Sequence, residues 1–193
     1  MERNRARRFA AAGLIALTVG AVGGWALSRS SDGVDANLTT PGVVQDPTIG
    51  TNADTQGQVF PFVRMTEIAT GEESTPTLDG LPTVVNFWFS TCPPCRNEMP
   101  VLAAAAKKYE GKVTFIGIDP NDTVESASSF LADNGVTYRN WLDTMGDQLA
   151  EAKVGSMPTT FFLDRSGRIV DIHAGEISAA DLEKQIAGLG VTG

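Results

Sequence analysis

The chain has few of the residues from which metal sites and disulfide networks are built. Its 193 residues include two cysteines and one histidine. A structural zinc site needs about four cysteine, histidine or carboxylate ligands, and His173 lies far in sequence from both cysteines. A zinc site is therefore excluded. The sequence also lacks a phosphate-binding loop, a hydrolase triad and paired catalytic carboxylates, so we predict no metal and no small-molecule cofactor.

Basic residues are scarce after residue 30. The formal net charge of the whole chain is −8, and residues 1–30 hold five arginines against one glutamate. Residues 31–193 therefore carry ten basic and 22 acidic residues. An acidic body repels phosphate backbones and anionic lipid headgroups. This charge argues against nucleic-acid binding, and we expect acidic residues such as Asp119 to lie on solvated loops.

Charged residues are absent from Phe9 to Leu27. A helix of this length rises about 28 Å, close to the roughly 30 Å hydrocarbon core of a bilayer. Four arginines precede this apolar run and one follows it, which favours a cytoplasmic N-terminus and a body outside the cytoplasm. We expect residues 1–27 to form a membrane anchor at the cell membrane. The alternative is a cleaved signal peptide and a secreted domain.

Sustained apolar periodicity is also absent from residues 28–57, which are rich in small polar residues. This composition predicts a flexible linker. Globular patterns begin at residue 58, so we expect one domain over 58–193. The patterns predict strands near residues 59–65, 84–89, 113–118, 138–142, 160–163 and 168–172, and helices near 93–109, 123–134, 146–153 and 179–189. This order predicts an α/β fold with a central sheet flanked by helices.

Both cysteines lie in one motif, Cys92-Pro93-Pro94-Cys95, directly after a predicted buried strand and at the start of a predicted helix. A structural disulfide would normally close a longer loop, because a short loop removes little entropy from the unfolded chain. A redox pair needs only the residues present. A helix N-terminus stabilises a thiolate. We therefore predict that Cys92 is the exposed attacking thiol and that Cys95 resolves the mixed disulfide.

The stretch around this motif resembles the active site of thioredoxin-like proteins of the membrane-anchored TlpA, ResA and DsbE type. The resemblance covers roughly residues 58–190 and includes Trp88, Pro100 and the segment 155–162. It implies a thioredoxin-like fold, with a mixed sheet, an N-terminal strand extension and a helical insertion. It also implies a cis peptide between Met157 and Pro158, where Met157 would offer its backbone to an extended partner.

The remaining site residues follow from the same resemblance. Asn86 stands where thioredoxin has a buried aspartate and cannot take a proton, so Glu98 is the candidate for proton transfer to Cys95. The alternative for Glu98 is an ordinary solvent-facing helix residue. Thr91 replaces a tryptophan found in many relatives and should leave a less hydrophobic rim around the site. We expect Thr91 and Pro93, together with Met157 and Pro158, to contact the partner.

The resemblance implies a thiol–disulfide oxidoreductase that acts on disulfide- or dithiol-containing exported proteins and exchanges electrons with a membrane thiol partner. We expect a reductant, for example in cytochrome c maturation. A disulfide-forming oxidase on the same fold stays open, because residue types do not reveal the direction. A Cu(I) chaperone is an alternative of another class, since thiolates bind Cu(I). A peroxidase is disfavoured because Phe89 stands where peroxiredoxins have threonine, three residues before the cysteine.

Overall fold

The computed structural model of the protein describes residues 52–191. The predicted anchor and most of the predicted linker lie outside the described residues. In the part of the chain that the structure describes, no helix is long and apolar enough to cross a membrane.

Seven strands and four helices make up the described residues. The strands are β1 (Met65–Glu67), β2 (Glu73–Ser74), β3 (Thr83–Phe87), β4 (Thr114–Asp119), β5 (Arg139–Leu142), β6 (Thr159–Leu163) and β7 (Ile169–Ala174). The helices are α1 (Pro93–Lys108), α2 (Val124–Asp133), α3 (Asp147–Glu151) and α4 (Ala179–Gly188). Strands and helices alternate in the central part of the chain, as the α/β prediction requires.

The strands form one mixed sheet in the order β2-β1-β5-β4-β3-β6-β7. The central pairs β3–β4 and β4–β5 are parallel, whereas β6 lies antiparallel to β3 and β7 antiparallel to β6. β3 is buried along its whole length, because it has neighbours on both edges and side chains packed on both faces. The active-site segment follows the end of this central strand.

Each face of the sheet has its own hydrophobic core, and β3 contributes to both because successive side chains of a strand point to opposite faces. Val85 and Phe87 join the core that the N-terminal segment and α3 cover. Val84 joins the core beneath α1 and α4. A third cluster, at the end of the sheet beside α2, contains both cysteines.

Most of the predicted elements are confirmed, but the first predicted strand is wrong. Within residues 59–65 only Met65 belongs to a strand, and Val59 makes a single bridge to Arg168. Pro61 has no N–H to donate to a strand ladder. The rings of Phe60 and Phe62 instead pack against each other, with Phe60 in the core. The short strand β2 was not predicted.

Contacts with the rest of the domain are also made by described residues before residue 58. Gln58 and Gly57 form backbone hydrogen bonds with Ile169, and Thr55 is buried. Residues 52–57 therefore pack against the domain, although their composition predicts a linker. Polar side chains in this segment are used for specific hydrogen bonds, which composition does not reveal. The division of the remaining N-terminal residues stays a prediction.

Candidate active site

The two cysteines form a disulfide at the N-terminus of α1, with their Cα atoms 5.3 Å apart. Cys92 is the N-cap residue in an extended conformation, and Pro93 occupies the first turn, where a missing N–H costs nothing. The Cys92 sulfur accepts a hydrogen bond from the Cys95 amide at 3.3 Å. The same amide would stabilise a thiolate at Cys92 once the disulfide is reduced, together with the positive end of the helix dipole.

The exposure of the two sulfur-bearing residues differs only slightly. Cys92 is 4% exposed and Cys95 is completely buried. The expectation of an exposed Cys92 is therefore wrong for this disulfide form, although Cys92 is the more accessible of the two. The cause is the hydrophobic cluster around the disulfide, against which Phe89 and Met157 also pack.

Glu98 lies one turn after Cys95 on the buried side of α1 and is only 1% exposed, so it is not a solvent-facing helix residue. Its Oε1 accepts a hydrogen bond from Asn86 Nδ2 at 2.8 Å, and its Oε2 accepts one from the Ile177 amide at 2.9 Å. Burial raises the pKa of Glu98 to about 7, because desolvation outweighs these two hydrogen bonds. Glu98 can therefore exchange a proton near neutral pH.

Asn86, which the sequence shows only as a substitution, is the side-chain hydrogen-bond partner of Glu98. It points to the α1 side of β3, where its Nδ2 also lies 3.0 Å from Thr160 Oγ1. Its Oδ1 has no partner among the described residues. The available signal was that Asn86 is the one polar residue in the otherwise apolar run Val84–Phe89. The partners of Asn86 could not be read from the sequence, because Thr160 and Glu98 come from two other elements.

The loop between α3 and β6 carries Met157 and Pro158, two of the four predicted partner-binding residues. The Met157–Pro158 peptide is cis, which confirms the expectation. Met157 is half-buried and packs against the cluster that contains both cysteines, while Pro158 is buried. Neither the amide nor the carbonyl of Met157 has a hydrogen-bond partner within residues 52–191. These two free backbone groups lie at the site without a role in the protein's own sheet.

The rim of the site is formed by exposed residues beside the disulfide. Thr91 and Pro93 are both exposed, where a partner can contact them. The preceding Ser90 is held by Arg96, whose guanidinium donates to the Ser90 carbonyl at 3.0 Å. This hydrogen bond holds the segment before Cys92 in one conformation, although the side chain at position 91 is small.

A second buried carboxyl lies behind this segment, contrary to the expectation of a solvated loop. Asp119 is fully buried at the end of β4, and its Oδ1 accepts hydrogen bonds from the amides of Asn121 and Asp122 at 2.9 and 3.0 Å. Burial raises its pKa to about 7. Asp122 in turn accepts hydrogen bonds from the amide and hydroxyl of Ser90 at 2.6 and 2.9 Å. This network joins the loop after β4 to the loop that leads into Cys92.

No group of three or more histidine, cysteine, aspartate and glutamate side chains within residues 52–191 is placed to bind a metal ion. His173 lies on β7, and its Nε2 is 3.2 Å from the carbonyl oxygen of Glu176. The arrangement around Cys92 and Cys95 suits chemistry at sulfur, with a titratable carboxyl one turn away.

Known proteins are similar to this chain in sequence and in structure. A family model described as Redoxin matches residues 55–186. The thioredoxin-like protein YneN of Bacillus subtilis is 28% identical over 134 residues, which cover 68% of this chain and 78% of YneN. The thiol-disulfide oxidoreductase ResA of Bacillus thuringiensis is 31% identical over 107 residues, which cover 55% of this chain and 62% of ResA.

A solved structure extends the similarity to three dimensions. It is that of a secreted Mycobacterium tuberculosis disulfide oxidoreductase homologous to DsbE of E. coli. The TM-score is 0.61 at 27% identity, and the match covers 66% of this chain and 96% of that chain. The fold is therefore thioredoxin-like. With more than half of its length matched by the family model, the chain belongs to the Redoxin family, among thiol–disulfide oxidoreductases similar to ResA and DsbE.

Proposed function

We propose that this protein reduces disulfides in exported proteins by thiol–disulfide exchange through Cys92 and Cys95. The observation that carries the proposal is the cysteine pair at the N-terminus of α1, where the Cys92 sulfur accepts a hydrogen bond from the Cys95 amide. Only the thiolate attacks a disulfide, and this position favours the thiolate at Cys92. The pair can alternate between disulfide and dithiol without rearranging the helix.

The reaction proceeds in two exchanges. In the reduced protein the Cys92 thiolate attacks one sulfur of the partner's disulfide, forms a mixed disulfide and releases the other partner sulfur as a thiolate, which takes up a proton. Cys95 then loses its proton and attacks the Cys92 sulfur, which frees the second partner sulfur. Two electrons pass from the dithiol to the partner, and the Cys92–Cys95 disulfide remains. A membrane thiol donor restores the dithiol.

Glu98 accepts the Cys95 proton in this scheme. Residues three apart on a helix lie on the same face, and Cys95 and Glu98 are both on the buried face of α1. With a pKa of about 7, Glu98 is deprotonated in part of the molecules at neutral pH. A general base works best when its pKa lies near the working pH.

The partner binds as an extended segment beside Met157. The free amide and carbonyl of Met157 supply the pairing that an added strand needs. Thr91 and Pro93 are exposed on either side of Cys92 in the sequence and contact the same partner, whereas Pro158 is buried and holds the cis peptide that follows Met157.

We propose an extracytoplasmic location, with the body attached to the cell membrane through residues 9–27. The apolar run and the arginines before it support this placement. Apocytochrome c is a suitable partner of this kind, because its haem-binding cysteines must be reduced before haem is attached. An oxidase with the same residues would run the two exchanges in reverse.

The reduction potential of the Cys92–Cys95 couple separates the two directions. We expect the full-length protein, equilibrated with glutathione redox buffers, to have a potential near or below about −250 mV, close to that of thioredoxin. The Cys92→Ser variant should perform no dithiol–disulfide exchange, which controls for reaction at other groups. A potential above about −180 mV, towards that of DsbA, would identify an oxidase and refute the proposal.

A further inference from the structure

The side chain of Asn52 holds the loop around Met157 from both of its ends. Its Oδ1 accepts hydrogen bonds from the amides of Gly155 and Ser156, at 2.8 and 3.2 Å. Its Nδ2 donates to the Thr159 hydroxyl oxygen at 2.7 Å. The two amides precede Met157 and the hydroxyl follows Pro158. One side chain from the N-terminal segment therefore bridges the start and the end of this loop.

The Thr159 hydroxyl completes the bridge. It donates to the Ser156 carbonyl at 2.8 Å, so the oxygen that accepts from Asn52 also closes the loop on itself. Thr159 is fully buried and pairs with Phe87 at the end of β3, the strand that leads to the cysteines. The Asn52 bridge thus connects the loop to the end of β3, after which the chain continues to Cys92.

The loop that Asn52 bridges contains Met157, whose backbone amide and carbonyl make no hydrogen bond within the described residues. Met157 is half-buried against the cysteine cluster. A free segment of this kind would lose conformational freedom when a partner pairs with it. Holding the segment in one conformation beforehand reduces that loss and improves affinity.

We infer that Asn52 is a positioning residue that presents the Met157 backbone to the partner's polypeptide next to the Cys92–Cys95 disulfide. This inference rests on the proposed exchange function. Asn52 touches neither cysteine, so it acts on partner binding and leaves the chemistry at sulfur unchanged. The binding of a substrate with a peptide backbone should therefore depend on Asn52. The reaction of a small disulfide without a peptide backbone should not.

The test compares two substrates with the reduced full-length protein in single-turnover reactions. One is an extended peptide whose cysteine is joined to glutathione, and the other is the small aromatic disulfide DTNB. We expect Asn52→Ala to raise the half-saturation concentration for the peptide about tenfold while the maximal rate stays within twofold. The rate with DTNB and the reduction potential should not change.

Two further variants separate positioning from general stabilisation. Gln56→Ala removes a side-chain hydrogen bond from the same segment to Asp171, away from the loop, and should behave as the wild type with both substrates. Asn52→Asp keeps an oxygen that accepts from Gly155 and Ser156, and should recover most of the peptide affinity.

The inference is overturned if Asn52→Ala binds the peptide as tightly as the wild type, or if it loses activity equally with both substrates. Equal loss would mean that Asn52 only stabilises the fold. If the wild-type protein exchanges with neither substrate, the proposed function fails and the inference fails with it. A wild type that exchanges with both substrates, next to an unchanged Asn52→Ala variant, refutes the inference alone.

Discussion

Glu98 is the residue whose surroundings differ most from those of an ordinary helical glutamate. It is buried between Asn86 and the Ile177 amide, and its pKa is raised to about 7 by loss of hydration. Removing Asn86 would take away a hydrogen bond that favours the charged form and raise this pKa further. The asparagine therefore tunes a proton acceptor, although it cannot itself take a proton.

We predict that Glu98→Gln slows the second exchange, in which Cys95 attacks the mixed disulfide. In the wild type this rate should increase as pH rises through about 7, because Glu98 must lose its own proton before it can accept one from Cys95. The variant should be slower by about 100-fold at pH 8, the lower end of the usual contribution of a general base. Stopped-flow measurement of partner release from a preformed mixed disulfide gives both rates.

A matched substitution and an equilibrium measurement check the cause. Glu151→Gln changes an exposed helical glutamate and should leave the pH profile unchanged. Since the folded-state pKa of Glu98 lies above its unfolded value of about 4.5, the wild-type free energy of unfolding should fall between about pH 4.5 and 7. Glu98→Gln should reduce this fall. If the rate of the second exchange depends on pH in the same way in wild type and in Glu98→Gln, Glu98 is not the proton acceptor.

At the scale of the elements, β4 and β5 hold Trp88 against the cysteine cluster. The Trp88 indole donates a hydrogen bond to Asn140 Oδ1 at 3.1 Å. These two side chains meet over Gly117 of β4, which lies next to Asn140 of β5 in the sheet. A Cβ atom at Gly117 would lie 1.7 Å from Asn140 Oδ1 and 2.8 Å from Trp88 Nε1. A glycine is required here because two side chains occupy the space above it.

We predict that Gly117→Ala lowers the free energy of unfolding by about 2–3 kcal/mol, through overpacking and loss of the buried hydrogen bond. Urea unfolding followed by tryptophan fluorescence measures the change. Gly188→Ala is the control, because it lies at the end of α4 with open space at its Cβ position. It should change stability by no more than about 0.5 kcal/mol. Equal stability of Gly117→Ala and wild type would contradict the packing argument.

At the scale of the whole molecule, charge is divided between a basic N-terminal segment and an acidic body. The acidic body disfavours binding to anionic lipid through the domain itself. Attachment to a membrane would then depend on the apolar run alone. The predicted linker would allow the domain to reach partners at some distance from the bilayer.

We predict that the full-length chain, expressed in a bacterial host, sediments with membranes and is digested by protease added outside the cytoplasmic membrane. Deleting residues 1–27 should leave the domain soluble in the cytoplasm. A full-length chain that is exported but soluble would identify a cleaved signal peptide. An intact chain in the cytoplasm would contradict export altogether.

The identity of the chemistry and most of the fold could be predicted from local patterns. The motif at 92–95 follows a run of buried residues and starts a helix, so its position in the fold depends on neighbours in sequence. The strand predicted at 59–65 failed because Pro61 interrupts the apolar run over residues 59–63. The ordered contacts of residues 52–57 were missed because their polar side chains pair with residues about a hundred positions away.

The sequence by itself determined the position of the cysteine pair after a buried strand, most of the order of strands and helices, and the glutamate one turn after Cys95, because each depends on residues close together in the chain. Only the tertiary structure decided that Glu98 is buried, that Asn86 is its partner and that Asn52 bridges the Met157 loop. The physical reason is the same in each case. Burial and hydrogen bonding depend on which distant segments the sheet brings together, and those distances determine the pKa of Glu98 and the free backbone at Met157.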